Sequence, residues 1–269
     1  MLVKYKIVVC ALIFTLVSML SVESQSNTTS ARVTISLATS EDPRPEVYNV
    51  NRQVREINPG WFVELSREAA DQCGANVEFE FAPWPRVLEY VKQGKVSAAF
   101  NSSFKPERAA YGVYPRNGIE LDKSRASRSY AYYLYKTKGS TNTDRLDRLE
   151  IKGLSFVVEA KSSIIPLLIE KGALITEVAS FKKMLKIVSR GRVDGAVGIG
   201  HGMDSLIETW PEFKVNLIKV KKPIQERIGF VMFSKVFYEK YPELAECFWS
   251  SSANLRKTEW FKSMMARYN

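Results

Sequence analysis

Residues 87–103, VLEYVKQGKVSAAFNSS, decide the fold, because the chain repeats their pattern as MLKIVSRGRVDGAVGIG at residues 184–200. Leu88, Val91, Gly94, Val96 and Ala99 of the first copy answer to Leu185, Val188, Gly191, Val193 and Ala196 of the second, an offset of 97 residues. In each copy apolar residues recur with the period of a helix, a glycine supplies the left-handed residue that ends it, and a short apolar run follows. Such a run, entered from a helix, reads as a parallel strand buried on both faces. The residues upstream correspond at the same offset. The strand-like NVEFEFAPWPR, residues 76–86, aligns with ALITEVASFKK, residues 173–183, and sets Trp84 opposite Phe181. Solenoid repeats recur every ~20 to 50 residues, so this longer period predicts two similar α/β lobes.

The 269 residues are 45% hydrophobic and 25% charged, an ordinary globular composition. At the amino end, Lys4 and Lys6 precede an apolar run over residues 7–20, and Val22 and Ser24 then suit the small-residue positions of a cleavage site. A secretory signal peptide over residues 1–24 is expected. The rival, a membrane anchor, is disfavoured because the run is short against the ~20 residues of a bilayer span. Loss of Lys4, Lys6 and Glu23 with the leader takes the formal charge from +10 to +9. The basic residues are scattered and form no stripe interleaved with aromatics, so nucleic-acid binding is not predicted. With one histidine, His201, and no CxxC or HExxH spacing, neither a metal site nor a cofactor is expected. Beyond the leader only Cys73 and Cys247 remain. An oxidising compartment permits their pairing, with two buried free thiols as the preferred alternative.

In chain order, VTISLAT (33–39) reads as a strand and runs into SEDPRPEVY, whose prolines stop it. That loop leaves the carboxyl end of a strand, where open α/β sheets bind ligands, so Ser40, Glu41 and Tyr48 are candidates by position. Trp84, between Pro83 and Pro85, serves either the core or a ligand pocket. Asn101, Ser102 and Ser103 follow the first repeat strand, and Pro106 opens a short helix. YAYYLYKT (130–137) reads as a strand, the polar stretch 138–150 as a boundary, and LSFVVEA (154–160) as the next strand. Ser162 and Ser163 then stand at a helix start, where they either cap or favour an anion. VNLIKVKK (215–222) and RIGFVMFSK (227–235) are further strands, and the remainder is read as two helices packed back on the first lobe.

PGWFVEL, FAPWPRVLEYVKQGKVSAAF, FKPERAAYGVYP, KGLSFVVE, GRVDGAVG and GFVMFSK, in this order and spacing, resemble the family 3 extracellular solute-binding proteins that partner bacterial ABC transporters. The resemblance implies a periplasmic, type II periplasmic-binding clamshell with two crossover strands. Lobe 1 would comprise residues 32–136 and 223–269, and lobe 2 residues 137–222. It implies a small-molecule ligand, transporter membrane subunits as partners, a monomer and no catalysis. The arginine of PERAA, Arg108, is implied as the ligand-carboxylate anchor, which suits the planar fork of a guanidinium. With Asn101, Ser103, Trp84, Ser162, Ser163 and Glu41 it makes up the expected site. Amino-acid binders of this family carry acidic residues where this chain has Ala38 and Ile199. A buried ligand ammonium would therefore lack a partner unless Glu41 or Glu159 supplied one, which points away from standard α-amino acids. Asp194 is expected to be structural. A ligand-binding sensor or adaptor, and a secreted dehydratase-like enzyme using Glu41 or Glu159 as general acid, are the alternatives.

Overall fold

The computed structural model describes residues 31–42 and 44–268; the expected leader lies outside them. Eight strands carry the architecture: β1 (Thr34–Ser40), β2 (Asn76–Ala82), β3 (Ala98–Ser103), β4 (Arg128–Thr137), β5 (Ser155–Glu159), β6 (Leu174–Val178), β7 (Gly195–Ile199) and β8 (Gln225–Ser234). They lie in one mixed sheet in the order β6-β5-β7-β4-β8-β3-β1-β2. Two parallel blocks flank a central antiparallel pair: β1 pairs in parallel with β2 and β3, β5 with β6 and β7, and β4 runs antiparallel to β8.

The sequence repeat is the source of this symmetry. Each block contains a strand, a helix and a buried strand: β2, α2 (Trp84–Lys92) and β3 in one, β6, α5 (Phe181–Ser189) and β7 in the other. Both helices bury one apolar face, Val87, Leu88 and Val91 against Met184, Leu185 and Val188, and both are followed by a glycine at positive φ, Gly94 and Gly191. The remaining helices used below are α1 (Trp61–Gln72), α3 (Pro106–Ala109), α4 (Ile165–Glu170), α6 (Gly200–Thr209), α7 (Pro211–Asn216), α8 (Lys235–Lys240), α9 (Pro242–Leu255) and α10 (Glu259–Met265).

The core divides in the same way. One cluster, centred on Leu134, Phe156, Phe181 and Met184, draws only on residues between 130 and 220. The others join Ile35, Phe62 and Phe100 to Val231, Phe248 and Trp249, so the first half is completed by the end of the chain. Burying each such side chain contributes about 1.5–3 kcal/mol. Gly60, which starts α1, has φ of 109°, and a Cβ there would lie 2.4 Å from the Glu46 carbonyl oxygen. Only glycine admits that approach of the 44–47 turn to the helix. Asp194 behaves as expected of a structural residue: its carboxylate accepts from Ser155 N at 2.8 Å and Asn142 Nδ2 at 2.7 Å, locking the joint before β7.

Three expectations need correction. The stretch 215–222 is strand only over Leu217–Lys219, because α7, started by Pro211, occupies the residues before it. The carboxyl end forms three helices, since Pro242 breaks the apolar run into α8 and α9. Cys73 and Cys247 are joined as a disulfide rather than free, because α1 and α9 pack side by side and bring the two Cα atoms to 5.9 Å.

The crosslink spans 174 residues. On the chain-entropy account its reduction, or the double change Cys73→Ser and Cys247→Ser, should lower unfolding free energy by up to about 5 kcal/mol. Urea unfolding with and without reductant measures this, and an unchanged midpoint would refute it.

Candidate functional site

The carboxyl ends of the two parallel blocks face each other across β4, and their side chains enclose a cavity of about 20 Å³, room for about one water. Anything larger would fit only if the walls parted, and the two central strands are what joins them.

Arg108 crosses this cleft. The short helix α3, begun by Pro106, sets it behind the end of β3, where it is 4% exposed. Its Nη1 donates to the Ser103 carbonyl at 3.0 Å and its Nη2 to the Lys161 carbonyl of the opposite half at 2.9 Å. The guanidinium lies 5.5 Å from the Trp84 ring centroid, so the aromatic at the start of α2 serves both the core and the cleft.

Asn101 reaches the cavity through a local irregularity. The pairing of β3 with β8 shifts register between Phe230 and Met232, which leaves an extra residue on β3, and Asn101 takes φ of 62° there. Asparagine tolerates that conformation, and a bulge re-aims a side chain. Gly229, paired with Ser103, leaves room for this side chain, since a Cβ there would lie 1.9 Å from Asn101 Oδ1 and push it aside.

From the other half come Ser162, Ser163, Glu159 and Ile199. The two serines bond to Tyr132 Oη on β4 at 3.0 and 3.2 Å. Of the two roles left open for them, capping is the one the structure corrects: α4 begins only at Ile165, is six residues long and has no side-chain cap. Glu41 is a second correction. It pairs with Arg52 at 2.7 Å outside the cavity, because the chain turns away after Ser40. Tyr48 likewise lies outside, with Arg55 5.3 Å from its ring centroid.

Two acids, Asp42 and Glu46, and two arginines, Arg44 and Arg128, escaped notice in the sequence, and Glu159, named there as a possible acid, joins them. Arg44, 5% exposed, lines the cavity beside the Phe181 ring, whose centroid is 5.4 Å away. Asp42 Oδ2 accepts from Phe181 N at 2.8 Å and so ties the loop after β1 to the start of α5. Burial pushes its carboxyl above the usual range, against the Phe181 amide and the Arg44 charge. Glu159 ends β5, 6% exposed, and accepts from Ser40 Oγ at 3.4 Å. Burial pushes it up to about 8, opposed by Arg44 and, more weakly, by Arg108. Beside the cleft, Glu46 contacts Arg128, and its Oε1 lies 3.0 Å from His201 Nε2. Burial, then the charges of Arg128 and Arg44, hold His201 well below the ordinary imidazole range. The proline-flanked loop after β1 was the available signal for Asp42 and Arg44, since it had already pointed to Ser40.

No family model and no curated relative matches this sequence. Among solved structures, a histidine kinase sensor domain with similarity to periplasmic binding proteins matches with TM-score 0.67 and 19% identity, over 88% of this chain and 96% of that one. An ancestral arginine-binding protein bound to arginine matches with TM-score 0.68 and 16% identity, over 88% and 98%. This is a type II periplasmic-binding-protein fold. The GluR0 ligand-binding core of Nostoc punctiforme, solved with L-glutamate, shares it with TM-score 0.65, 16% identity and coverage of 87% and 98%. At these identities the likeness is one of fold. Among the described residues no helix is long and apolar enough to cross a membrane.

Glu159 gives a test by pH. Its carboxyl rises from an ordinary 4.5 to about 8 in the folded state, so folding favours its protonated form. Its contribution is complete below the unfolded value and is lost as pH climbs through the folded one. The melting temperature of the wild type should fall relative to Glu159→Gln between pH 5 and 8; parallel curves would remove Glu159 from the account.

Proposed function

We propose that the protein is an exported binding protein that closes on a small carboxylate-bearing metabolite, probed first by Arg108, and presents it to the membrane subunits of an ABC transporter without chemical change. The observation that carries this reading is the position of Arg108, whose guanidinium is buried in the cleft and bonds both halves. A ligand held there contacts both lobes, which is the condition for closure by population shift. Asn101, Ser103 and Ser40 offer hydrogen bonds around it, and Trp84 and Tyr130 offer apolar faces.

Glu159 occupies the place of an acid that the sequence left open, yet the reading against standard α-amino acids is kept. Burial pushes its carboxyl up to about 8, so near neutral pH it offers a ligand ammonium little charge. The same residue favours a second reading, a dehydratase-like enzyme in which a carboxyl kept protonated near neutral pH acts as general acid. A hit recovered chemically altered after incubation with wild type, and unaltered with Glu159→Gln, would select the enzyme. A sensor module is compatible with the same cleft and would differ in its partner rather than its ligand.

The test is a thermal-unfolding screen against organic acids, α-amino acids and sugars. A ligand at 100 times its dissociation constant adds about 2.7 kcal/mol, a clear shift in midpoint. Organic acids should shift the wild type and leave Arg108→Ala unmoved. An α-amino acid as the sole hit would refute the ligand class, and an acid that shifts both proteins equally would refute the role of Arg108.

A further inference from the structure

We infer that the cleft accepts a ligand with two acid groups, a small dicarboxylate, and that Arg44 holds the second of them. The inference rests on the carboxylate-binding reading of Arg108 and extends it to a second cation in the same cavity.

Arg44 is placed by a built turn. Val47 N donates to the Arg44 carbonyl at 2.9 Å, Phe62 N to the Glu46 carbonyl at 3.0 Å, and Gly60 lets the turn sit against α1. The side chain is held from two sides, by the Asp42 carbonyl at 3.4 Å from Nε and by the face of Phe181. Its Nη2, wholly buried, has no hydrogen-bond partner among the described residues. A guanidinium carries five N–H donors, and an unspent charged donor out of water is complemented best by an anion.

The acids nearby do not fill that part. The Asp42 carboxylate accepts from the amide of Phe181 and acts on Arg44 only through its charge, with no hydrogen bond or ion pair between them. Glu159 is kept protonated by burial near neutral pH, so it leaves the Arg44 and Arg108 charges uncompensated. Neither arginine forms an ion pair among the described residues, whereas Arg128 alongside contacts Glu46. A monocarboxylate on Arg108 would leave Arg44 as it is. A dicarboxylate would answer both.

The experiment is calorimetric titration of the purified chain with straight-chain diacids from malonate to pimelate, each beside the monoacid of equal carbon number. Circular dichroism first establishes that Arg44→Gln and Arg44→Lys are folded. At least one diacid should bind the wild type about a hundredfold more tightly than its monoacid, and Arg44→Gln should erase that difference. If only Arg44→Lys folds, the difference should shrink, because an ammonium lacks the planar fork. Diacids and monoacids that bind the wild type equally overturn the inference and leave the Arg108 reading standing. A preference that survives Arg44→Gln also overturns it. Absence of binding by every acid removes both readings together.

Discussion

The antiparallel pairing of β4 with β8 is the constraint on which the rest depends. Its register, Gln225 opposite Tyr132 through Gly229 opposite Arg128, joins two parallel blocks that otherwise have separate cores. Tyr132 bonds the serines of one half while Gly229 makes space for Asn101 of the other. A slip of one residue would turn both away from the cleft, since side chains alternate along a strand. The ladder therefore fixes the geometry of the site as well as the connection between its walls.

Across the cleft the contacts are polar and few. Arg108 reaches the Lys161 carbonyl, Asp42 the amide of Phe181, and Ser40 the carboxyl of Glu159. Such bonds are each worth little net against water, so opening costs far less than unfolding either core. The apolar clusters behind them, by contrast, each lie within one half. Rigid walls with a polar seam favour motion at the two central strands rather than within the lobes.

The repeat made the fold legible, because it is a matter of local periodicity: a helical stripe, a glycine and a buried run, written twice. Arg108, Trp84, Asn101, Ser103, Ser162 and Ser163 were placed by their position at strand ends and by family likeness, and all six line the cavity. Arg44 and Asp42 were not legible. They stand in a loop with no period, and their burial comes from contact with Phe181, more than a hundred positions later in the chain. Glu41, next to Asp42, was read as a site residue for the same positional reason, and a single step of backbone direction sends it to Arg52 instead. Tyr132 reads as core from its strand, and only the register against the opposite half shows its hydroxyl to be engaged. The disulfide depended on the packing of α1 against α9, which spacing alone does not specify.

The two cores differ in how the chain supplies them. The second is contiguous, drawn from residues between 130 and 220, whereas the first needs β8, Phe248, Trp249 and Met264 to cover Ile35 and Phe62. A chain emerging from its amino end holds the first half with part of its larger core uncovered until nearly the whole polypeptide has been made. The middle lobe can complete itself first and act as a template, its β7 offering an edge to β4 and β4 then to β8. Premature termination or proteolytic trimming at the carboxyl end thus strikes the lobe that begins the sequence, and the amino-terminal half is the aggregation-prone partner during biogenesis.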